Sequence, residues 1–477
     1  MKEVKNFINI LYKNKIIIFF LISILSTFNA PFFFLQDFKD LNFYKIFVIY
    51  QYIFPLIIFL ILIFYICRLN YLKEFFLDKE SLVLKFLFFL NLIQIFGIFF
   101  SDLNYFEPID EHSSKALTQV SLDWKSTYTR LIFIINNFNI IFIGFLCLKY
   151  KKLKFNLCFL IGFFLIVSFY YCYKILYEYF SNIDDIINFY MSTALRLGST
   201  TLNYVNPRPT GLARIILLIS IFFMMLYLFN EKKYILKKKN LRYLIVLLII
   251  FLNFFIIHLQ SRTVSFFLFL LPIFFLIFLY FYKMRKFFFV LILLVTFPFF
   301  LSELASDYKL NLIKKKMIQD QVLNTEQIQS IISKYDISSN RLMMDNTSGR
   351  IDIWKKVVDT YKEIPILGYG VLGDKFAYSF SVSNIFLYFL ISGGIVGFVA
   401  IILFNIYILK NIYYLLLSRK LFIANDPFFY ISFFFVCFFM FRSFFENSYG
   451  QFGIDYIFFV PSYLIFQSYL KKFKIIC

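Results

Sequence analysis

Apolar stretches long enough to form membrane-crossing helices recur from one end of the chain to the other, separated by short polar connections. Read this way, the sequence predicts spans near 16–36, 46–66, 86–101, 131–148, 155–177, 211–229, 243–260, 264–282, 287–301, 384–409, 428–441 and 452–470. The expected fold is therefore an all-α polytopic membrane protein of about 12 transmembrane helices. One segment breaks the rhythm. Residues 302–383 are polar, and a connection of that length is far beyond the ~12–15 residues of an ordinary loop. This divides the chain into 1–301 (about nine spans), the loop 302–383, and 384–477 (about three spans).

Inside that loop the pattern changes period. In "SGRIDIWKKVVDTYKEIP", Ile351, Trp354, Val358 and Tyr361 recur at helical spacing, and Ile353, Val357 and Ile364 widen the stripe. The spacing predicts an amphipathic helix capped by Thr347 or Ser348 and ended at Ile364 by Pro365. Glycines follow in "PILGYGVLGDKF", where Gly368, Gly370 and Gly373 permit positive φ and close backbone approach. The next span, "SNIFLYFLISGGIVGF", carries Gly393, Gly394 and Gly397, a small-residue face suited to helix packing. Short helices are expected in 303–345.

Composition agrees with the membrane reading: 61% of the 477 residues are hydrophobic, and mean hydropathy is +0.75. A net charge of +21 could indicate a nucleic-acid partner, but its distribution indicates topology instead. Lysine and arginine gather in alternate connections, those holding "RLNYLKEFFLDKESLVLK", "KYKKLK", "EKKYILKKKNLR", "KMRK", "KNIYYLLLSRK" and "KKFK", together with the N-terminal "MKEVKNFINILYKNK". The whole positive excess falls on that side. The positive-inside rule makes it cytoplasmic, with both termini there. The first apolar run resembles a signal peptide but is too long, and further spans follow at once, so it reads as an uncleaved helix. The six cysteines (67, 147, 158, 172, 437, 477) show neither disulfide nor metal-ligand spacing. Neither a metal nor another cofactor is expected.

The remaining charges are informative where they sit on the outer side. Arg208 and Arg214 flank the start of a span in "NPRPTGLAR". Arg262 occupies the turn "QSRT", Arg350 opens the amphipathic helix, and Arg442 follows a span in "FRSFFENSYG". Guanidinium groups match phosphate oxygens in a planar fork and stay charged at working pH. A lipid-linked sugar pyrophosphate, with phosphates at headgroup level and its tail alongside, suits such a cluster.

The order "RPTGLAR", "SRT" opening a span, the loop with "SGRIDIW", "PILGYG" and "SNIFLYFLISGGIVGF", then "FRSFFE", resembles the O-antigen ligase and polymerase family over about residues 205–450. The resemblance implies a bacterial inner-membrane enzyme of lipopolysaccharide or surface-polysaccharide biosynthesis. Its large loop would be periplasmic, and its partners would be the bilayer, an undecaprenyl-pyrophosphate-linked glycan, and a glycan or lipid A-core acceptor. It further implies that Arg208 and Arg262 recognise the pyrophosphate, that Arg350, Gly368 and Gly370 shape the loop over the site, and that Asn384 opens the late span beside it. Arg214 and Arg442 would add substrate contacts. Ligases of the family carry a histidine immediately before that asparagine, whereas this chain has Ser383 there. The difference favours a polymerase, or a transferase whose base is a carboxylate: Asp345, Asp352, Asp374 or Glu446, with Glu446 preferred for its place near a span end. The competing class is a flippase for the same lipid-linked sugars. The span centres, however, hold mainly Asn91, Gln94 and Asn253 rather than the ionisable groups of coupled transport.

Overall fold

The computed structural model describes residues 53–68, 71–78, 81–100, 127–181, 209–229, 239–259, 261–282, 292–301, 304, 350–378, 381–418, 426–473 and 475. The expected span at 16–36, the short helices of 303–345, the caps Thr347 and Ser348, and Arg208 and Asp345 lie outside the described residues. Everything described is helix, turn or coil, with no strand among the described residues.

The helices in chain order are α1 (Phe54–Arg68), α2 (Tyr71–Leu77), α3 (Leu82–Phe100), α4 (Thr127–Lys149), α5 (Leu153–Ser181), α6 (Pro209–Phe229), α7 (Lys239–His258) and α8 (Arg262–Tyr282). Then come α9 (Ile292–Leu301), α10 (Arg350–Asp359), α11 (Gly373–Tyr378), α12 (Ile385–Leu417), α13 (Pro427–Ser443) and α14 (Ile454–Lys472). Spans expected from hydropathy fall on α1, α3–α9 and α12–α14 to within a few residues at most ends. Five helices among the described residues are long and apolar enough to cross a membrane, and the α1–α2 pair, bent by 86°, makes a sixth if it is one broken span. The tight turn expected near 261–263 separates α7 from α8.

Two compact units share the chain, and their boundary falls within α5. One comprises Phe164–Asn346 and Asn425–Pro427. In it α6 packs along α7, with α8 against both. Two hydrogen bonds on one asparagine cross its apolar interior: Ser220 donates to Asn253 Oδ1 (2.6 Å), and Asn253 Nδ2 donates to the Leu294 carbonyl (2.9 Å). That asparagine, read as a mid-span polar group, is satisfied by helix packing.

The other unit comprises Met1–Phe163, Thr347–Ala424 and Phe428–Cys477. Here α4 is the centre, packed on α1, α3 and α14, while α3 also meets α12. Rings stack in the seams, Phe86 on Phe404 at 4.7 Å and Tyr449 on Phe459 at 4.2 Å between centroids. Polar side chains tie the same seams: Asn137 Nδ2 donates to Asn91 Oδ1 (2.6 Å), and Gln94 Nε2 donates to Ser392 Oγ (3.1 Å).

The two ends of this unit differ in chemistry. At one end, Lys149 pairs with Glu74 and the Tyr65 and Tyr150 hydroxyls share a 2.6 Å hydrogen bond. Lys154 also lies over the Phe428 and Tyr469 rings there. These are the lysine-rich connections of the sequence. At the opposite end α10 and α11 pack against the first half of α12.

Candidate functional site

The polar stretch that opens α10 folds as a helix because Ile353, Trp354, Val357 and Ile364 have a small core to join. Val357 is buried with Tyr369, Ala377, Tyr378, Val382 and Ile391. Only part of the expected stripe packs: Ile353, Trp354, Val357 and Ile364 join the core and the rest do not. Ile351, Val358 and Tyr361 are about half exposed, since the neighbouring line through Ile353 and Val357 is the one that meets α11 and α12. The helix also stops earlier, at Asp359, and a 3-10 turn covers Tyr361–Glu363. Thr360 causes the change: its hydroxyl bonds back to the Lys356 carbonyl (2.9 Å) and to the Tyr378 hydroxyl (2.7 Å), drawing the chain inward before Pro365.

Beyond Pro365 the backbone enters the helix layer. Gly394 has φ 61° and ψ −159°, so α12 is two helices meeting at a break. Just before the break, the Ile391 and Ser392 carbonyls accept from the N–H groups of Tyr369 (2.8 Å) and Gly370 (2.9 Å). In an unbroken helix those carbonyls would serve residues 395 and 396. Loop backbone thus replaces helix backbone, the only way irregular chain is tolerated at this depth. Close approach requires glycine on both sides: a Cβ on Gly97 of α3 would lie 2.6 Å from the Gly370 nitrogen, and one on Gly370 would lie 2.6 Å from the Gln94 carbonyl. The Gly393–Gly394 pair receives this loop, with Gly368 against both nitrogens, and Gly393 also faces Ile93 of α3 as a helix-packing position.

Around the junction the sequence-selected groups converge. Asn384 caps α12, its Oδ1 accepting from Phe386 N (2.9 Å) and Leu387 N (3.1 Å), while its Nδ2 donates to the Phe444 carbonyl (2.9 Å). Arg350 reaches the same turn, donating to the Phe445 carbonyl (3.1 Å) and to Glu446 Oε1 (3.1 Å). Arg442 approaches Glu446 Oε2 at 3.8 Å. Three segments distant in sequence, the starts of α10 and α12 and the end of α13, are thereby tied into one rim. Glu446 carries a guanidinium on each oxygen.

Arg442 departs from its expected place at an exposed helix end. It is buried, and its closest partner is Asp455 at the start of α14, itself buried. Sequence reading missed Asp455; the available signal is that it is the one acidic residue in the final apolar span. The pair joins α13 to α14 across the 444–453 turn. Arg442→Ala strands a buried carboxylate and is expected to cost about 3–5 kcal/mol in unfolding of the purified protein. Exchanging both residues for leucine is expected to recover most of that loss, and an equally unstable double variant would contradict the pairing.

Asp374 is also buried, so it offers no open carboxylate. Its Oδ2 accepts from Val382 N (3.0 Å), closing the 374–382 turn. Burial pushes its carboxyl above the ordinary carboxylate range, against the opposing pull of Lys375 and backbone N–H groups. A raised folded-state value favours folding fully below the free-carboxyl range of ~4 and loses that contribution as pH rises through the raised value. Asp374→Asn keeps an acceptor for Val382, so its melting temperature is expected to vary less with pH above 4 than the wild type's.

In the other unit, Arg214 lies one turn into α6 and is half-buried, and Arg262 supplies the first residue of α8.

Helices of this length, a helix broken by its own loop, and a rim of arginines and amides at the end away from the lysines define a multi-pass membrane protein with one elaborated face. Residues 244–402, a third of the chain, match the family model for O-antigen ligase. The matched region runs from α7 through α8 and the loop to the second half of α12, and so contains Arg262, Arg350, Asn384 and the Gly394 break. No curated protein and no solved structure matches the chain.

Proposed function

We propose that this protein is an inner-membrane glycosyltransferase that uses undecaprenyl-pyrophosphate-linked oligosaccharide at the periplasmic face, as an O-antigen or surface-polysaccharide polymerase or ligase. The observation that carries the reading is the O-antigen ligase match over 244–402. It encloses the longest polar segment and the helix break into which part of that segment is built. Twelve spans with both termini cytoplasmic, divided as 1–301, 302–383 and 384–477, complete the proposed topology.

Transfer from a prenyl pyrophosphate places growing negative charge on the leaving phosphate as the glycosidic bond breaks. Fixed guanidinium charge stabilises that state more than the bound substrate. In this reading Arg208 and Arg262 hold the pyrophosphate, and Arg214 adds a substrate contact. Arg350, Asn384 and the Gly368–Gly370 turn shape the loop, and Arg442, buried against Asp455, supports Glu446 rather than touching substrate. The acceptor hydroxyl attacks the anomeric carbon, the pyrophosphate leaves, and the hydroxyl proton passes to a carboxylate. Glu446 is the candidate, a part-exposed carboxylate held in place by Arg350 and Arg442. Ser383, where the ligases carry histidine, leaves that role to a carboxylate and favours the polymerase.

A deletion strain tests the proposal. Lipid-linked intermediates identified by mass are expected to accumulate, with surface glycan reduced to single repeat units for a polymerase or absent from the lipid core for a ligase. Unaltered surface glycan overturns the reading, and precursors trapped on the cytoplasmic face would mark a flippase.

A further inference from the structure

The outer end of α4 carries a charge that the loop uses. Arg130 lies in the first turn of that helix and is 3% exposed. An arginine at a helix end can ordinarily extend to the interface, where its charge costs little. Burial closes that route, and a buried guanidinium has to be met by acceptors. Among its contacts, Nε donates to the Val371 carbonyl at 3.0 Å.

Val371 is a sensitive place to hold. The residue before it, Gly370, donates to the α12 break and sits against α3. The residue after it, Leu372, has φ 59°, in the left-handed region a leucine rarely adopts, and its N–H donates to the Tyr388 hydroxyl at 3.3 Å. From there Asp374 binds Val382 N, and two residues on Asn384 caps α12 and reaches the Phe444 carbonyl. A bonded path therefore leads from α4 through Val371, Leu372, Asp374, Val382 and Asn384 to the rim.

We propose that Arg130 is a positioning residue for glycan transfer: by holding the Val371 carbonyl it fixes residues 368–378 against α12, and through Asp374 and Val382 sets Asn384 and the rim it joins. The proposal rests on the reading of that rim as part of the transfer site. It gives the first 150 residues, outside the family match at 244–402, a part in the chemistry beyond anchoring. The outward-arginine argument that selected Arg350 and Arg442 would have selected Arg130 too, since it stands at the outer end of an expected span.

The test compares wild type, Arg130→Lys and Arg130→Met as full-length protein in nanodiscs. Hydrogen exchange across 365–384 is the first readout. Steady-state transfer from undecaprenyl-pyrophosphate-linked oligosaccharide is the second. In the methionine variant, amides of 369–374 are expected to exchange at least tenfold faster while those of 400–415 stay unchanged. Its kcat is expected to fall more than tenfold with donor KM within about twofold, and lysine, which keeps a donor for Val371, is expected to recover part of both. Unchanged exchange at 369–374, a rise spread through α4 and α12, or faster exchange with undiminished kcat each overturn the proposal. A wild type that shows no transfer refutes the glycosyltransferase reading instead, and the exchange result then still decides whether Arg130 holds the loop.

Discussion

Arg262→Ala is expected to leave the protein in the membrane at its normal level and to lower glycan transfer by about two to three orders of magnitude, with Arg208→Ala doing the same. The physical reason is the leaving group. A pyrophosphate gains charge as the glycosidic bond breaks, and a guanidinium fork can follow that charge with two parallel hydrogen bonds. Lysine at either position keeps the charge and loses the fork, so Arg262→Lys and Arg208→Lys are expected to retain partial activity. Arg262 is the first residue of α8. Gel analysis of surface glycan, normalised to protein level, reads the result. Full-length glycan in all four variants would remove pyrophosphate recognition from these arginines.

The second large effect is structural and is expected at Gly370. Alanine there meets two penalties: φ of 81°, and a Cβ only 2.6 Å from the Gln94 carbonyl and 2.8 Å from Ile98 N, both backbone atoms of α3 that cannot rotate aside. The left-handed conformation costs roughly 1–2 kcal/mol and the overlap about 1–3 kcal/mol more. Gly162→Ala supplies the control of opposite sign. Its Cβ would meet nothing within 4 Å, and helical glycine to alanine is worth about 0.5–1 kcal/mol of stabilisation. Thermal unfolding of the purified variants measures both. A Gly370→Ala protein as stable as wild type would mean that the loop does not enter the α3–α12 seam.

Much of this architecture is visible in the sequence because membrane helices announce themselves by length and charge. The segments at 86–101, 131–148 and 384–409 became α3, α4 and α12, and the amphipathic stripe became α10. The rim was legible in part, since arginine is scarce beside lysine here and Arg350, Asn384 and Arg442 stood at element ends. Periodicity could not say which of two adjacent apolar lines on α10 would be buried, because Ile351–Val358 and Ile353–Val357 both recur at helical spacing. Nor could it separate a glycine that admits a neighbouring helix from one that breaks its own. Gly394 does the second, and only the partner backbone at Tyr369 and Gly370 reveals it. Asp455 and Arg130 escaped for a related reason: each meets its partner through the fold, Arg130 across 241 residues of chain, a separation over which local pattern carries no information.

Purified protein in proteoliposomes, supplied with undecaprenyl-pyrophosphate-linked oligosaccharide and a glycan or lipid A-core acceptor, gives the most direct test. The account predicts release of undecaprenyl pyrophosphate in step with elongated or acceptor-linked glycan, lost in Arg262→Ala. Intact lipid-linked oligosaccharide moved from one leaflet to the other, with no pyrophosphate released by folded wild-type protein, would contradict it.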